Sequence, residues 1–423
     1  MNRRELLLSG LGAAAGVAAG TGPARATTEI SVLYSQPGLY KDAHERIVQE
    51  FLQREPDIRI RLVAPVRAYE EAAGAVLRGA MTNSIPDVVY NGTNLLHLFA
   101  DRQLAVPLDP FIAADGGWAN DGYIPAMVET SRLGGVQYGI PFALSTPITF
   151  FNTELVRRAG GDPAAFPADW PATLDLAQRI KALGGALKGI DMKWQTTGNY
   201  LWQALLFSQG GRMLSEDGRR VGFDTPEGLK TFQLLRAMVT QGGMVDATME
   251  QAMQDFIAGN IGMHITSSAN LNILTQQIGE RFTLGTAPFP VPRADARIVS
   301  GGATATLFAR DAAKQAAAWK YIRFATGPVG QTIMVRHIGY LPCSRVAIDT
   351  PSLLGDYYAG NPNTRTSLSQ LPRATGWLGF PGPNSLKAID AIYAAMESTV
   401  ALRATPEQAL ARAVEQVSAL LPR

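Results

Sequence analysis

The sequence predicts an α/β fold of two lobes, each a sheet flanked by helices. Three observations predict it. Strand-like and helix-like runs alternate from residue 28 to residue 90, the pattern of a doubly wound parallel sheet. An extended run at 141–152 then breaks the alternation and feeds a long helical stretch. No internal repeat or low-complexity linker divides the chain into two simple halves, as expected when lobes are assembled from interleaved segments. At about 150 residues per domain, a chain of 423 suits two or three domains and a large core.

Taken in order, residues 29–34 are rich in β-formers and read as a strand. Residues 42–54 place Ala43, Ile47, Val48 and Phe51 on one helical stripe, and 58–63 returns as a strand. Residues 69–81 read as a second helix and 86–90 as a third strand. In such sheets ligands sit outside the carboxyl ends of the strands, so loops 34–40, 64–69 and 91–94 are candidate binding loops. The extended run at 141–152 passes into a helix at Thr153. Helices are expected at 171–183, 199–209, 225–241 and 249–258. Strands are expected at 260–266, 281–287 and 303–309, followed by helices at 311–326 and 328–337. The last two helices, 385–401 and 405–421, end the chain, the second capped by Thr405 with Glu407 in its first turn. The partition expected from this order gives residues 27–141 with 270–325 to the first lobe, and 142–269 with 326–423 to the second.

The first 26 residues have a basic start, an apolar run from Leu6 to Ala19 and small residues ending Ala24-Arg25-Ala26. That is the layout of an export signal, with cleavage expected after Ala26. The apolar run is short and rich in Gly and Ala, a poor bilayer span, and Arg3-Arg4 ahead of Leu6-Leu7-Leu8 resembles the twin-arginine class. Localisation in the periplasm is therefore expected. The segment carries three arginines and one glutamate, so the formal charge of +2 falls to zero once it is removed. A neutral chain has no field to gather phosphate backbones, and nucleic acid is not an expected partner. Hydrophobic residues at 46% against 17% charged exclude a disordered chain. The single cysteine, Cys343, permits neither an internal disulfide nor a thiolate zinc cluster and reads as an inert buried thiol.

Catalytic motifs are missing. The chain has no Gly-x-Ser-x-Gly elbow, no His-Glu-x-x-His and no phosphate loop ending in Gly-Lys followed by Ser or Thr. His44, His97, His264 and His337 are scattered and read as ordinary core or surface side chains; no cofactor and no metal is expected. A carboxylate pair for glycoside cleavage is a matter of three dimensions, which keeps an exported glycoside-active enzyme as a rival, beside an adhesion module. What remains is an exported chain with six tryptophans, twelve tyrosines and many loop hydroxyls. Aromatic faces stack on the C–H faces of sugars while hydroxyls and amides meet their OH groups, so a polar neutral or amphiphilic solute is the expected ligand.

Pro141-Phe142, Ser145-Thr146-Pro147, Asn152, Ala159-Gly160 and Trp170 fall in the order of a phrase found in a known family. The phrases at 256–263, 266–271, 301–304, 339–342 and 405–410 continue the match over nearly all of the chain beyond residue 26. In these phrases the chain resembles the extracellular solute-binding proteins of ATP-driven importers, the group that includes maltose-binding and glycerol phosphate-binding proteins. The resemblance implies a two-lobe periplasmic-binding-protein fold with the ligand cleft at the hinge. It implies closure around a sugar, polyol or glycoside without a covalent step, a monomer, and an ABC permease at the inner membrane as partner.

Within that family the binders of glycerol 3-phosphate and its diesters are the most similar. Matched residue by residue, Tyr69 and Glu70 correspond to a loop pair holding the polyol end, Ser145 and Thr146 to the crossing segment, and Trp194 to a stacking aromatic. Ser267, Ser268, Gly302 and Tyr340 match other ligand-facing positions. Gln36, Tyr40, Asn91 and Arg373 join the candidates from their loop positions, and Trp377 from its Gly- and Pro-rich loop. Plainer roles stand beside these: Ser267 and Ser268 as helix caps, Glu70 as a dipole partner, Trp194 and Trp377 as packing, with Trp170 and Trp319 read as core. One departure matters. Where the family carries a phosphate-binding arginine in Gly-Leu-Arg-Leu-Gly-Asn, residues 376–384 contain no arginine, and Arg373 is the candidate substitute. Arginine fits phosphate bidentately, so a sugar, polyol or glycoside is expected ahead of glycerol 3-phosphate or a glycerophosphodiester.

Overall fold

The computed structural model describes residues 27–293 and 295–422; the expected export signal lies outside the described residues. Strand β1 (Thr28–Leu33) buries Ile30 and Val32 fully and pairs in parallel with β2 (Ile58–Leu62) and β3 (Val88–Gly92). Parallel pairing needs crossover connections, which α1 (Pro37–Arg54) and α2 (Tyr69–Thr82) supply. Helix α1 starts earlier than expected because Pro37 occupies its first turn, where a missing N–H removes no bond. Its stripe of Tyr40, Ala43, His44, Ile47 and Phe51 is buried.

Strands β4 (Gly139–Ser145) and β5 (Pro147–Asn152) are parted only by Thr146, yet they join different sheets. The second sheet has the order β8-β5-β7-β6, with β6 (Lys188–Met192), β7 (Ile261–Ser267) and β8 (Leu284–Pro288). The first is completed by β9 (Ile298–Leu307) and β10 (Ala374–Gly376) in the order β10-β9-β3-β1-β2, with β4 also paired to β9. Around the sheets lie α3 (Trp170–Lys181), α4 (Tyr200–Ser208), α5 (Pro226–Thr240), α6 (Met249–Ile257), α7 (Leu271–Ile278), α8 (Ala312–Thr326), α9 (Pro328–His337), α10 (Ser385–Val400) and α11 (Pro406–Leu420). Every residue of α4 is buried, because it is wedged against β9 and α5. No helix among the described residues is long and apolar enough to cross a membrane.

The structure departs from the expected parallel sheets. β9 runs antiparallel to β3 and β4, and β5 runs antiparallel to β7 and β8. β9 enters the first sheet from the other lobe rather than through a crossover helix, so the alternation of residues 28–90 does not extend to it.

The expected partition also shifts. β8, placed with the first lobe, pairs with β5, and Leu271, Leu274 and Ile278 of α7 pack with Ile148, Phe150 and Phe256 of the second. Helix α9, placed with the second, packs on α1 and α8, and Gln331 donates to Phe142 O at 2.6 Å. Periodicity says whether a segment is strand or helix, not which sheet it joins.

Candidate functional site

Between the two sheets lies a cleft of about 1020 Å³ whose walls are built largely from strand ends. The residues following β1 give Gln36–Leu39, those following β2 give Arg67–Glu71, and those following β6 give Lys193–Thr197. The end of β7 contributes Thr266 and Ser267, that of β4 Ser145, and β9 Gly301 and Gly302. Helices α6 and α10 close the rim with Met249, Glu250, Met253, Asp390, Tyr393 and Glu397. This is the placement that open α/β sheets favour.

The floor is aromatic and hydroxylated. Tyr69 Oη lies 2.8 Å from Tyr40 Oη, and the Tyr40 ring stacks on Tyr340 at 5.6 Å and 17°. Burial pushes the Tyr40 and Tyr69 hydroxyls far above their ordinary range and that of Tyr340 up to about 12, so all three remain neutral donors and acceptors. Tyr200 Oη donates to Ser145 O at 2.9 Å, and Ser267 Oγ donates to Ser145 Oγ at 2.9 Å. Trp377 meets Tyr69 and Tyr200 edge-on and donates from Nε1 to Gly198 O at 3.0 Å. Gly198 holds a left-handed backbone (φ 62°), and a Cβ there would fall 2.3 Å from Trp377 Cζ2, so the indole slot requires glycine.

A carboxylate also joins the walls. Glu70, in the first turn of α2, accepts from Thr197 Oγ1 and from Gly198 N in the loop that follows β6. A carboxylate of the first lobe is thereby bound to the second. Glu71 instead turns back on its own helix and accepts from Arg67 N at 3.0 Å.

Of the sequence-derived candidates, Gln36, Tyr69, Glu70, Ser145, Trp194, Ser267, Gly302, Tyr340 and Trp377 line the cleft together. Tyr40 lies behind them, in contact with Tyr69 and Tyr340. Four others lie elsewhere. Asn91 is fully buried in the first sheet, where its amide accepts from Thr306 Oγ1 at 2.9 Å and donates to Gly92 O. Thr146 and Ser268 form a hinge cluster: Thr146 Oγ1 lies 2.7 Å from Ser367 Oγ, which donates to Ser268 Oγ at 3.2 Å. Gln370 Nε2 adds a bond to Thr146 Oγ1 at 2.8 Å. Arg373 donates to Arg293 O outside the cleft and does not replace the missing arginine there. Ser267 both caps the next turn, accepting from Ala269 N, and lines the cleft, so its two readings coexist.

Lys193, Tyr200, Asn270 and Tyr393 line the cleft without having been marked by the sequence. Lys193 follows a strand with only two apolar side chains, Ile190 and Met192, too weak a run to show that it ends at a binding face. Tyr200 and Tyr393 sit on helices whose faces no short motif orients.

Residues 46–359 match the bacterial extracellular solute-binding protein family. The chain belongs to that family. A binding protein of Brucella abortus is 28% identical over 349 residues, covering 79% of each chain. The sn-glycerol-3-phosphate-binding periplasmic protein UgpB of Escherichia coli is 24% identical over 418 residues, covering 95% of this chain and 94% of its own. UgpB from Mycobacterium tuberculosis, solved with glycerophosphocholine, superposes with a TM-score of 0.83 at 22% identity over 93% of this chain and 98% of that one. The GacH receptor of Streptomyces glaucescens, solved unliganded and with acarbose, gives 0.79 at 19% identity over 93% and 98%. The fold is thus that of the two-lobe solute-binding proteins.

Proposed function

We propose that this solute-binding protein is the periplasmic, monomeric receptor of an ABC importer. On this reading a polar solute docks on one lobe, the other rotates onto it, and the closed form is recognised by the permease. The observation that carries it is the cleft itself: strand ends of two sheets face each other across hydroxyls and aromatic rings, and Glu70 already spans the gap. The ligand class that fits is a sugar, polyol or glycoside, whose C–H faces suit Trp194 and Trp377 and whose hydroxyls suit Ser145, Ser267 and Tyr340. On this reading the solute is held without a covalent step and released unchanged.

Glycerol 3-phosphate or a glycerophosphodiester is the second reading, favoured by the name of the Escherichia coli relative that matches over 95% of the chain and by the glycerophosphocholine held by the Mycobacterium tuberculosis protein. A thermal-shift screen of sugars, polyols, glycerophosphodiesters and acidic glycosides, with hits recovered and analysed, is the test. A receptor returns its hit unchanged; recovery of a cleaved product assigns the cleft to an enzyme, and the absence of any shift removes the small-ligand reading.

A further inference from the structure

Two cations line the cleft, Arg67 at its exposed rim and Lys193 further in, among six carboxylates, Glu70, Glu71, Asp246, Glu250, Asp390 and Glu397. The backbone of Lys193 is pinned: its N–H donates to Ile265 O at 3.0 Å, and its carbonyl accepts from Thr196 N at 3.0 Å and from Thr196 Oγ1 at 2.6 Å. The side chain is held nowhere. Among the described residues its ammonium has no hydrogen-bond acceptor and no carboxylate within 4 Å; Lys181, Lys230 and Lys387 share that state but are exposed to solvent, and Lys41, Lys188, Lys314 and Lys320 each have a carboxylate partner.

The carboxylates whose fields reach Lys193 are Glu250 on α6 and Asp191 on β6. Asp191 is committed to His264, with Oδ2 at 2.9 Å from Nδ1. Glu70, the carboxylate on the opposite wall, is committed to Thr197 and Gly198. Enclosure pulls the Lys193 ammonium below its ordinary range, the response of a cation short of partners. Glu250 acts on the ammonium only at a distance, with no contact within 4 Å, so an enclosed charge lacking a contacting partner is further stabilised when an anion reaches it.

We propose that Lys193 is the specificity-determining residue of the cleft and anchors one anionic group, a carboxylate or phosphodiester, on an otherwise hydroxylated solute. This deepens the solute-receptor reading and rests on it. The class of ligand is then an acidic glycoside or a polyol phosphodiester.

The test is isothermal titration of the mature chain with matched pairs: methyl glucuronide against methyl glucoside, and glycerophosphoglycerol against glycerol. The wild type should bind the anionic member of one pair at least tenfold more tightly. Lys193→Met should lower the anionic member's affinity at least tenfold more than the neutral member's, and Lys193→Arg should retain most of the preference. Which pair responds tells carboxylate from phosphodiester. Equal affinity for both members, or equal loss of both in Lys193→Met, overturns the proposal while leaving the receptor reading intact. Binding of none of the four, with no hit in the wider screen, overturns both. Thermal melting of Lys193→Met supplies a ligand-free readout: an unanchored lysine predicts an unchanged or raised Tm, and a lowered Tm shows a structural role and refutes the assignment.

Discussion

His44 lies fully buried on α1, its ring stacked on Phe142 at 5.1 Å and 16° and flanked by Tyr34 and Tyr90, and neither ring nitrogen has a hydrogen bond among the described residues. Burial lowers its pKa to about 3 from 6.5. The neutral ring is therefore the folded form. Below pH 6.5 the unfolded chain takes up a proton that the folded chain refuses, so stability falls as pH drops from 6.5 towards 3, by up to about 1.4 kcal/mol per pH unit from this group. Urea titrations at pH 7, 5.5 and 4.5 should show His44→Phe losing stability more shallowly than the wild type; parallel slopes would place the acid sensitivity elsewhere. Trp194 teaches a different lesson at the same scale. It is only 6% exposed and belongs to the main core, so Trp194→Ala should cost about 3 kcal/mol in urea unfolding as well as ligand affinity. Trp194→Phe, which keeps most of the packing, separates the two effects. Should Trp194→Ala unfold at the wild-type midpoint, the side chain is not packed as described.

At the scale of elements, legibility tracks how local the determining physics is. Thr405 reads as a cap in the sequence, and in the structure it forms a reciprocal box with Gln408, each side chain bonded to the other's backbone N–H. Thr405→Ala should lower stability by about 1 kcal/mol and leave ligand affinity unchanged, measured by denaturant melts beside titration; a change in affinity would mean that α11 communicates with the cleft. Helices α1 to α6 and α8 to α11 are visible within a few residues, and so is β1, whereas α7 is not among the expected helices. β6 and β10 are not. β6 carries Lys188, Gly189 and Asp191 among its five residues, and β10 is three residues long, so both exist because a neighbouring strand supplies partners. The same holds within the cleft. Tyr69, Glu70, Ser145 and Tyr340, matched through the family resemblance, line the cleft, whereas Thr146 and Ser268, matched in the same way, and Asn91, chosen from its loop, have the right chemistry and point to other partners. Whether a hydroxyl faces a ligand or a hinge is decided by chain segments hundreds of positions away, as Ser367 and Gln370 show for Thr146.

For the whole molecule, the question is what holds the two lobes together before a solute arrives. The Glu70 bonds to Thr197 and Gly198 connect them across the cleft. Hydrogen bonds to a carboxylate contribute about 1–2 kcal/mol in all at a half-exposed site after solvent screening. Such a difference changes the ratio of open to closed molecules by roughly tenfold. Glu70→Ala should therefore populate the open form in the absence of ligand. Cys343, the single cysteine, is fully buried and burial raises its thiol pKa, so it resists labelling and two introduced cysteines can report the lobes. Met81 at the end of α2 and Val245 after α5 are exposed and belong to opposite lobes. In a Met81→Cys, Val245→Cys background, single-molecule energy transfer should resolve a larger population of the second, open distance in Glu70→Ala than in the parent. An identical distribution in both would show that the clasp follows closure rather than favouring it, and that the solute alone must bring the lobes together.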